Sequence, residues 1–129
     1  MIPPFDRFLL VCLGGAIGTG LRYLVSLAAF RLLGPEFPFG TLVVNLLGSF
    51  AIGFVQQLGV AALVPDTARL FLVVGVAGGL TTYSAFSYET VRLLEVGAWA
   101  RAWLNVFLTT GASLALCLLG LATARWMLR

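Results

Sequence analysis

A chain of 129 residues that is 60% hydrophobic and only 10% charged, with mean hydropathy +1.04, reads as an integral membrane protein, because soluble domains run near a quarter charged. The net charge of +3 comes from eight arginines and no lysine, too few and too scattered for a nucleic-acid surface. Histidine is absent, so the usual neutral-pH acid–base group is missing, and Cys12 and Cys117 lie in apolar segments, where they read as buried small hydrophobes and not as a redox pair or metal ligands.

A spanning helix needs roughly 20 apolar residues at about 1.5 Å rise each. Residues 8–30 supply the first, opened by Pro3-Pro4 and Asp6-Arg7. The length of that run and its internal Arg22 favour a membrane helix over a cleaved leader. Gly34, Pro35, Glu36 and Pro38 signal a turn into a second helix over 39–64. Pro65-Asp66 starts the next link, and residues 68–95 form a third span. Gly97 punctuates a short link before a fourth helix over 100–127. The expected fold is one all-α transmembrane domain over residues 1–129, with short links making neighbouring helices antiparallel.

The third span is predicted to break near 78–82. Gly78-Gly79 followed by Leu80-Thr81-Thr82 makes a poor continuous helix, because glycine costs about 1 kcal/mol against alanine and threonine competes for backbone hydrogen bonds. A break at membrane depth survives only where protein or a wet cavity satisfies the freed backbone, and such breaks mark ion or substrate sites.

Arginines outside the spans divide four against three between the two sides of this topology. Arg7, Arg69, Arg125 and Arg129 fall on one side, and Arg31, Arg92 and Arg101 on the other. Orientation follows the arginine and lysine imbalance, so this distribution scarcely specifies one. It predicts insertion both ways and assembly as an antiparallel homodimer.

Polar residues form stripes inside the spans. Gly14, Gly18, Arg22 and Ser26 recur every four residues in the first helix. The glycines suit close helix packing, whereas Arg22 suits either structural anchoring by snorkelling or attraction of an anion. Thr41, Asn45 and Ser49 line one face of the second helix. Asn45 is either an interhelical tie or an amide donor facing a pathway. Asn105, Thr109, Ser113 and Cys117 repeat the spacing in the fourth helix, and two facing polar stripes suggest a wet passage. Beyond the break, Tyr83 and Phe86 are i, i+3, as are Phe86 and Glu89. Aromatic ring edges carry partial positive charge and can contact a small anion without a full cation. Glu89, an acid near membrane depth, is a candidate functional group that can instead pair with an arginine or lie at the interface.

Three motifs in order, Gly14-Gly15-xx-Gly18-xxx-Arg22-Tyr23, Pro38-Phe39-Gly40-Thr41-Leu42-Val43-Val44-Asn45-xx-Gly48-Ser49-Phe50 and Gly78-Gly79-Leu80-Thr81-Thr82-Tyr83-Ser84-Ala85-Phe86-Ser87-Tyr88-Glu89, resemble the Fluc (CrcB) family of fluoride channels. The match runs the whole chain. The resemblance implies a double-barrelled antiparallel homodimer in a bacterial or archaeal plasma membrane, passively exporting fluoride and conferring fluoride resistance. It implies that Asn45, Tyr83, Phe86, Thr109 and Ser113 belong to the pore; Ser84 and Asn105 are counted as pore candidates with them, and Arg22, Thr41 and Glu89 as electrostatic or pore-adjacent candidates. It further implies a structural Na⁺ at the subunit interface, held by backbone carbonyls of Gly78 and Thr81 from both subunits. Two departures from the family pattern stand out: Tyr83 replaces a phenylalanine and Ala85 a threonine, the first adding a hydroxyl near the ion path and the second removing one.

The rivals fare worse. A small dual-topology multidrug exporter suits the size and arginine balance, but it would carry an acid in its first helix, where residues 8–30 carry only Arg22. A membrane thiol oxidoreductase needs cysteine pairs near water. A purely structural bundle explains the glycines but not a broken helix between polar faces.

Overall fold

The computed structural model describes residues 4–129, so Pro3 lies outside the described residues. Every regular element among them is helical: α1 (Phe5–Leu33), α2 (Phe39–Val60), α3 (Asp66–Arg69), a π-helical stretch Leu70–Ala77, α4 (Gly78–Leu80), α5 (Tyr83–Glu95) and α6 (Trp99–Met127). Among the described residues four segments are long and apolar enough to cross a membrane: Phe5–Leu33, Phe39–Val60, Asp66–Glu95 and Trp99–Met127. The predicted order of spans is therefore observed, with adjusted ends. α1 begins and ends three residues beyond the expected run. α2 stops four residues early, where Ala62 takes a positive φ of 58° and Leu63 N–H closes back on the Leu58 carbonyl at 3.0 Å. Pro4, Pro38 and Pro65 each stand immediately before a helix, where a missing N–H costs nothing.

The break is narrower than predicted. Gly78–Leu80 still completes a helical turn, and only Thr81 and Thr82 are extended, with ψ of 154° and 116°. The distortion spreads backward instead, into the π-helical Leu70–Ala77. There the wide turn presents Gly75 to α1. α5 restarts at Thr82, whose hydroxyl accepts the Ala85 N–H at 3.2 Å as an N-cap.

Lipid tails give helices no hydrophobic reason to associate, so close packing holds the bundle. α1 packs on the third span, and α2 on α6. At the first seam Gly14 lies against the Phe71 carbonyl and Gly75, Gly18 against the Val76 carbonyl and Leu80, and Gly79 against Gly15. At the second, Gly53 admits the Cys117 carbonyl and Gly120 the Phe50 carbonyl. In all of these a Cβ would strike backbone, so the packing role expected for Gly14 and Gly18 is observed. Cys117 sits at the α2–α6 seam, but Cys12 is exposed on the outer face of α1, which corrects its expected burial. Lipid supplies the apolar surroundings that neighbouring helices were expected to give.

Ion pairs mark the two ends of the bundle. Arg101 bonds the Glu36 carboxylate at 2.8 Å, joining the first link to the start of α6. At the opposite end Arg125 donates to Gln57 at 3.1 Å, and Arg69 pairs with Asp66 at 2.8 Å. Link one and link three therefore share one end, as the arginine distribution assumed.

Candidate functional site: a groove beside the helix break

The break is stabilised from α2. Thr82 N–H donates to Asn45 Oδ1 at 2.8 Å, and Asn45 Nδ2 donates to the Thr82 carbonyl at 3.1 Å. The side-chain oxygen thus gives Thr82 N–H the partner that an unbroken helix would supply, and the amide N–H adds a second bond to the Thr82 carbonyl, which as the N-cap of α5 already accepts the first bond of that helix. Only one of the two amide N–H groups is used by this clamp.

The clamp has a second effect. In a continuous α-helix the Gly78 carbonyl would accept from Thr82 N–H, and the Thr81 carbonyl from Ala85 N–H. Thr82 N–H goes to Asn45, and Ala85 N–H to the Thr82 hydroxyl. Both carbonyls are thereby released from the helical ladder. They are neutral oxygen ligands, the type hard cations prefer. Gly78 is exposed on the protomer surface, so a second chain can approach it. The donor set fits Na⁺ only if shared, since two carbonyls alone leave most of a coordination sphere open.

Beside the break runs a groove of about 330 Å³. Asn45 and Ser49 of α2 form one wall, and Thr81, Thr82, Tyr83 and Phe86 the second. Thr109, Thr110 and Ser113 of α6 form the third. Asn45, Tyr83, Phe86, Thr109 and Ser113, singled out from the sequence on three separate helices, therefore meet at one groove. Tyr83 and Phe86 touch, with ring centroids 5.5 Å apart and planes inclined by 55°. Phe86 is only 8% exposed, whereas Tyr83 is 80% exposed and projects from the protomer.

The hydroxyls of α6 are not equivalent. Thr109 donates to Asn105 Oδ1 at 3.1 Å, so its proton is engaged and it offers lone pairs to the groove. Ser113 Oγ is buried and has no hydrogen-bond partner among the described residues. Its proton is free to meet an anion.

Asn105 and Ser84 do not line the groove. Asn105 is 1% exposed and donates to Thr90 Oγ1 at 2.9 Å, and Thr90 in turn donates to the Phe86 carbonyl at 2.7 Å. This chain of bonds ties α6 to α5 and sets the height of Phe86. Thr90 was missed because a hydroxyl in a membrane helix ordinarily bonds its own preceding turn, which it also does here. Ser84 is exposed, with its hydroxyl 3.3 Å from that of Thr82. Thr82 and Thr110 were also passed over. The Gly-Gly-Leu-Thr-Thr run hinted at Thr82 as a cap; nothing in the sequence distinguished Thr110.

Thr41 and Glu89 lie one turn further toward the first link, with the Thr41 hydroxyl donating to Glu89 Oε1 at 2.8 Å and Glu89 Oε2 buried without a partner. They border a second cavity of about 450 Å³, which Ser26, Phe39 and Arg92 also line. Thr41, Asn45 and Ser49 are successive turns of one face of α2, so the cavity and the groove follow one another along it. Arg22 is half-buried in α1, lines neither space, and makes no hydrogen bond or ion pair among the described residues.

Comparison with known proteins gives concordant results. The family described as CrcB-like protein, Camphor Resistance (CrcB), matches residues 9–121. The chain is 47% identical over 122 residues to a protein of Anaeromyxobacter dehalogenans named fluoride-specific ion channel FluC, covering 94% of this chain and 97% of the relative. It is similar to proteins of the same name from Roseiflexus sp. strain RS-1, at 47% over 89% of this chain and 94% of the relative, and from Clostridium perfringens strain 13, at 43% over 91% and 92%.

Proposed function

The chain belongs to the CrcB-like family, and from that premise we propose that it is a fluoride-selective channel of the bacterial plasma membrane. The observation that carries this reading is the groove that Tyr83 and Phe86 line together with the free Ser113 hydroxyl and the Asn45 amide. Fluoride is small and strongly hydrated. A path for it must replace water with donors at close range while holding it loosely enough to leave. Neutral donors achieve that; a buried guanidinium would bind the anion too firmly to release it.

The ion enters through the wide cavity at Thr41 and Glu89 and passes along α2 to the groove. There Ser113 donates its proton, and the spare N–H of Asn45 and the edge of Phe86 supply further positive potential. The groove is open on the side where Tyr83 projects, and a second copy in antiparallel orientation closes it. Each of two pores then draws Phe86 from one subunit and an exposed Tyr83 from the other. The balanced arginines permit that assembly. Gly78 and Thr81 carbonyls from both subunits would hold Na⁺ at the interface, where it would offset the negative ends of the carbonyl dipoles and join the subunits. Outward flow of the anion is driven by the negative-inside potential, worth about 2.3 kcal/mol per charge per 100 mV.

Purified protein in liposomes, with release followed by a fluoride electrode, tests the reading. Fluoride efflux without chloride efflux is expected. Efflux that requires a proton gradient would make the protein a coupled transporter and overturn it.

A further inference from the structure

We propose that the last turns of α6 form a seat for an anionic phospholipid. Leu118, Leu121, Ala122, Arg125 and Arg129 fall at i, i+3, i+4, i+7 and i+11 on one face of the helix, and with Trp126 they line a groove of about 560 Å³. The groove is apolar toward the membrane centre and basic at its end. This is the profile of a lipid, with an acyl chain along Leu118 and Leu121 and a phosphate at the guanidiniums.

Three features separate the seat from ordinary snorkelling. Arg125 is held by its Nε, which donates to Gln57 Oε1 at 3.1 Å, while its two terminal nitrogens have no partner among the described residues. Among the described residues neither Arg125 nor Arg129 has an acidic partner, while Asp66 at the same end is taken by Arg69 at 2.8 Å. Trp126 is 73% exposed beside them, at the depth where indole rings favour the headgroup region. The negative end of the helix dipole opposes an anion here, but it amounts to about half a charge against two full ones.

The test uses the full chain with Trp99→Phe and Trp103→Phe, which leaves Trp126 as the sole tryptophan. Its fluorescence is followed as brominated phosphatidylglycerol or brominated phosphatidylcholine is added to phosphatidylcholine vesicles. The anionic lipid is expected to quench at a mole fraction on the order of tenfold lower, since each arginine near a phosphate favours it by several-fold. Arg125→Gln with Arg129→Gln should erase the difference, whereas Arg7→Gln and Arg69→Gln should not. Equal quenching by both lipids, a preference that survives the Arg125/Arg129 double change, or equal loss in the Arg7 and Arg69 variants overturns the seat. Displacement of the brominated anionic lipid by millimolar inorganic phosphate alone also overturns it, by reducing it to a phosphate site. If the double variant does not fold, the parent protein decides: the preference should vanish near 1 M salt, and its persistence there sinks the proposal.

Discussion

Asn45 and Thr82 hold each other through two hydrogen bonds across the α2–α5 interface, Thr82 N–H to Oδ1 at 2.8 Å and Nδ2 to the Thr82 carbonyl at 3.1 Å. A residue expected to serve the pathway thus also maintains the break beside it. The interhelical tie and the donor, alternatives from the sequence, are compatible because the amide has a second N–H. Asn45→Asp keeps the acceptor for Thr82 N–H and sets a carboxylate oxygen against the Thr82 carbonyl. Loss of fluoride flux is expected, together with a destabilisation of about 0.5–1.5 kcal/mol from the lost amide bond to that carbonyl. Flux assays and denaturant titration of one preparation check both. Undiminished flux would remove Asn45 from the pore; lost flux with unchanged stability would remove the clamp.

Phe86 and Tyr83 touch, yet one is buried and the other projects. Phe86→Ile should lower both flux and stability, because it removes a ring from a packed site. Tyr83→Phe should leave protomer stability within about 0.5 kcal/mol, as exposed substitutions do. It removes the hydroxyl that Tyr83 adds beside the groove, so faster fluoride efflux is expected. An unchanged rate in liposomes would show that the hydroxyl does not meet the ion.

The spans were legible because a bilayer leaves the backbone few choices: apolar runs of sufficient length, closed by Pro38, Pro65 and Gly97, can only be helices. Convergence of Asn45 and Ser113 was legible from polar stripes of four-residue spacing on two helices, whereas the place of Phe86 beside them came with the family resemblance. What remained hidden was the state of individual protons. No pattern shows that Thr109 spends its hydroxyl on Asn105 while Ser113 keeps its own free, since both occupy the same face of α6. Nor does Gly78-Gly79 reveal that the helix survives both glycines and opens only at Thr81, for that depends on Asn45, more than thirty residues away.

That difference between hydroxyls is testable. Ser113→Ala removes a free donor and should lower fluoride flux about tenfold, the worth of roughly one net hydrogen bond, with little change in stability. Thr109→Val orphans Asn105 Oδ1 in a buried site and should cost stability more than flux. Measuring efflux and thermal unfolding for both variants separates the roles. The reverse ranking would mean that Thr109 reorients toward the ion when it passes.

Packing at the first seam gives the last prediction. A Cβ at Gly18 would meet the Val76 carbonyl and the Leu80 amide, both backbone, the first in the π-helical stretch and the second in the last turn before the break. Neither can yield without moving the third span away from α1. At Gly20, two residues on, a Cβ meets nothing within 4 Å. Gly18→Ala should therefore destabilise by about 1–3 kcal/mol, the usual cost of overpacking, and displace Thr81 and Thr82 enough to impair flux. Gly20→Ala should leave the protomer unaffected or slightly more stable, since alanine is the better helix former. Thermal unfolding in one detergent compares them directly. Equal tolerance of both would mean that the seam is looser than its backbone contacts indicate. A loss of dimer at Gly20 alone, read by crosslinking, would place that face of α1 against the second subunit.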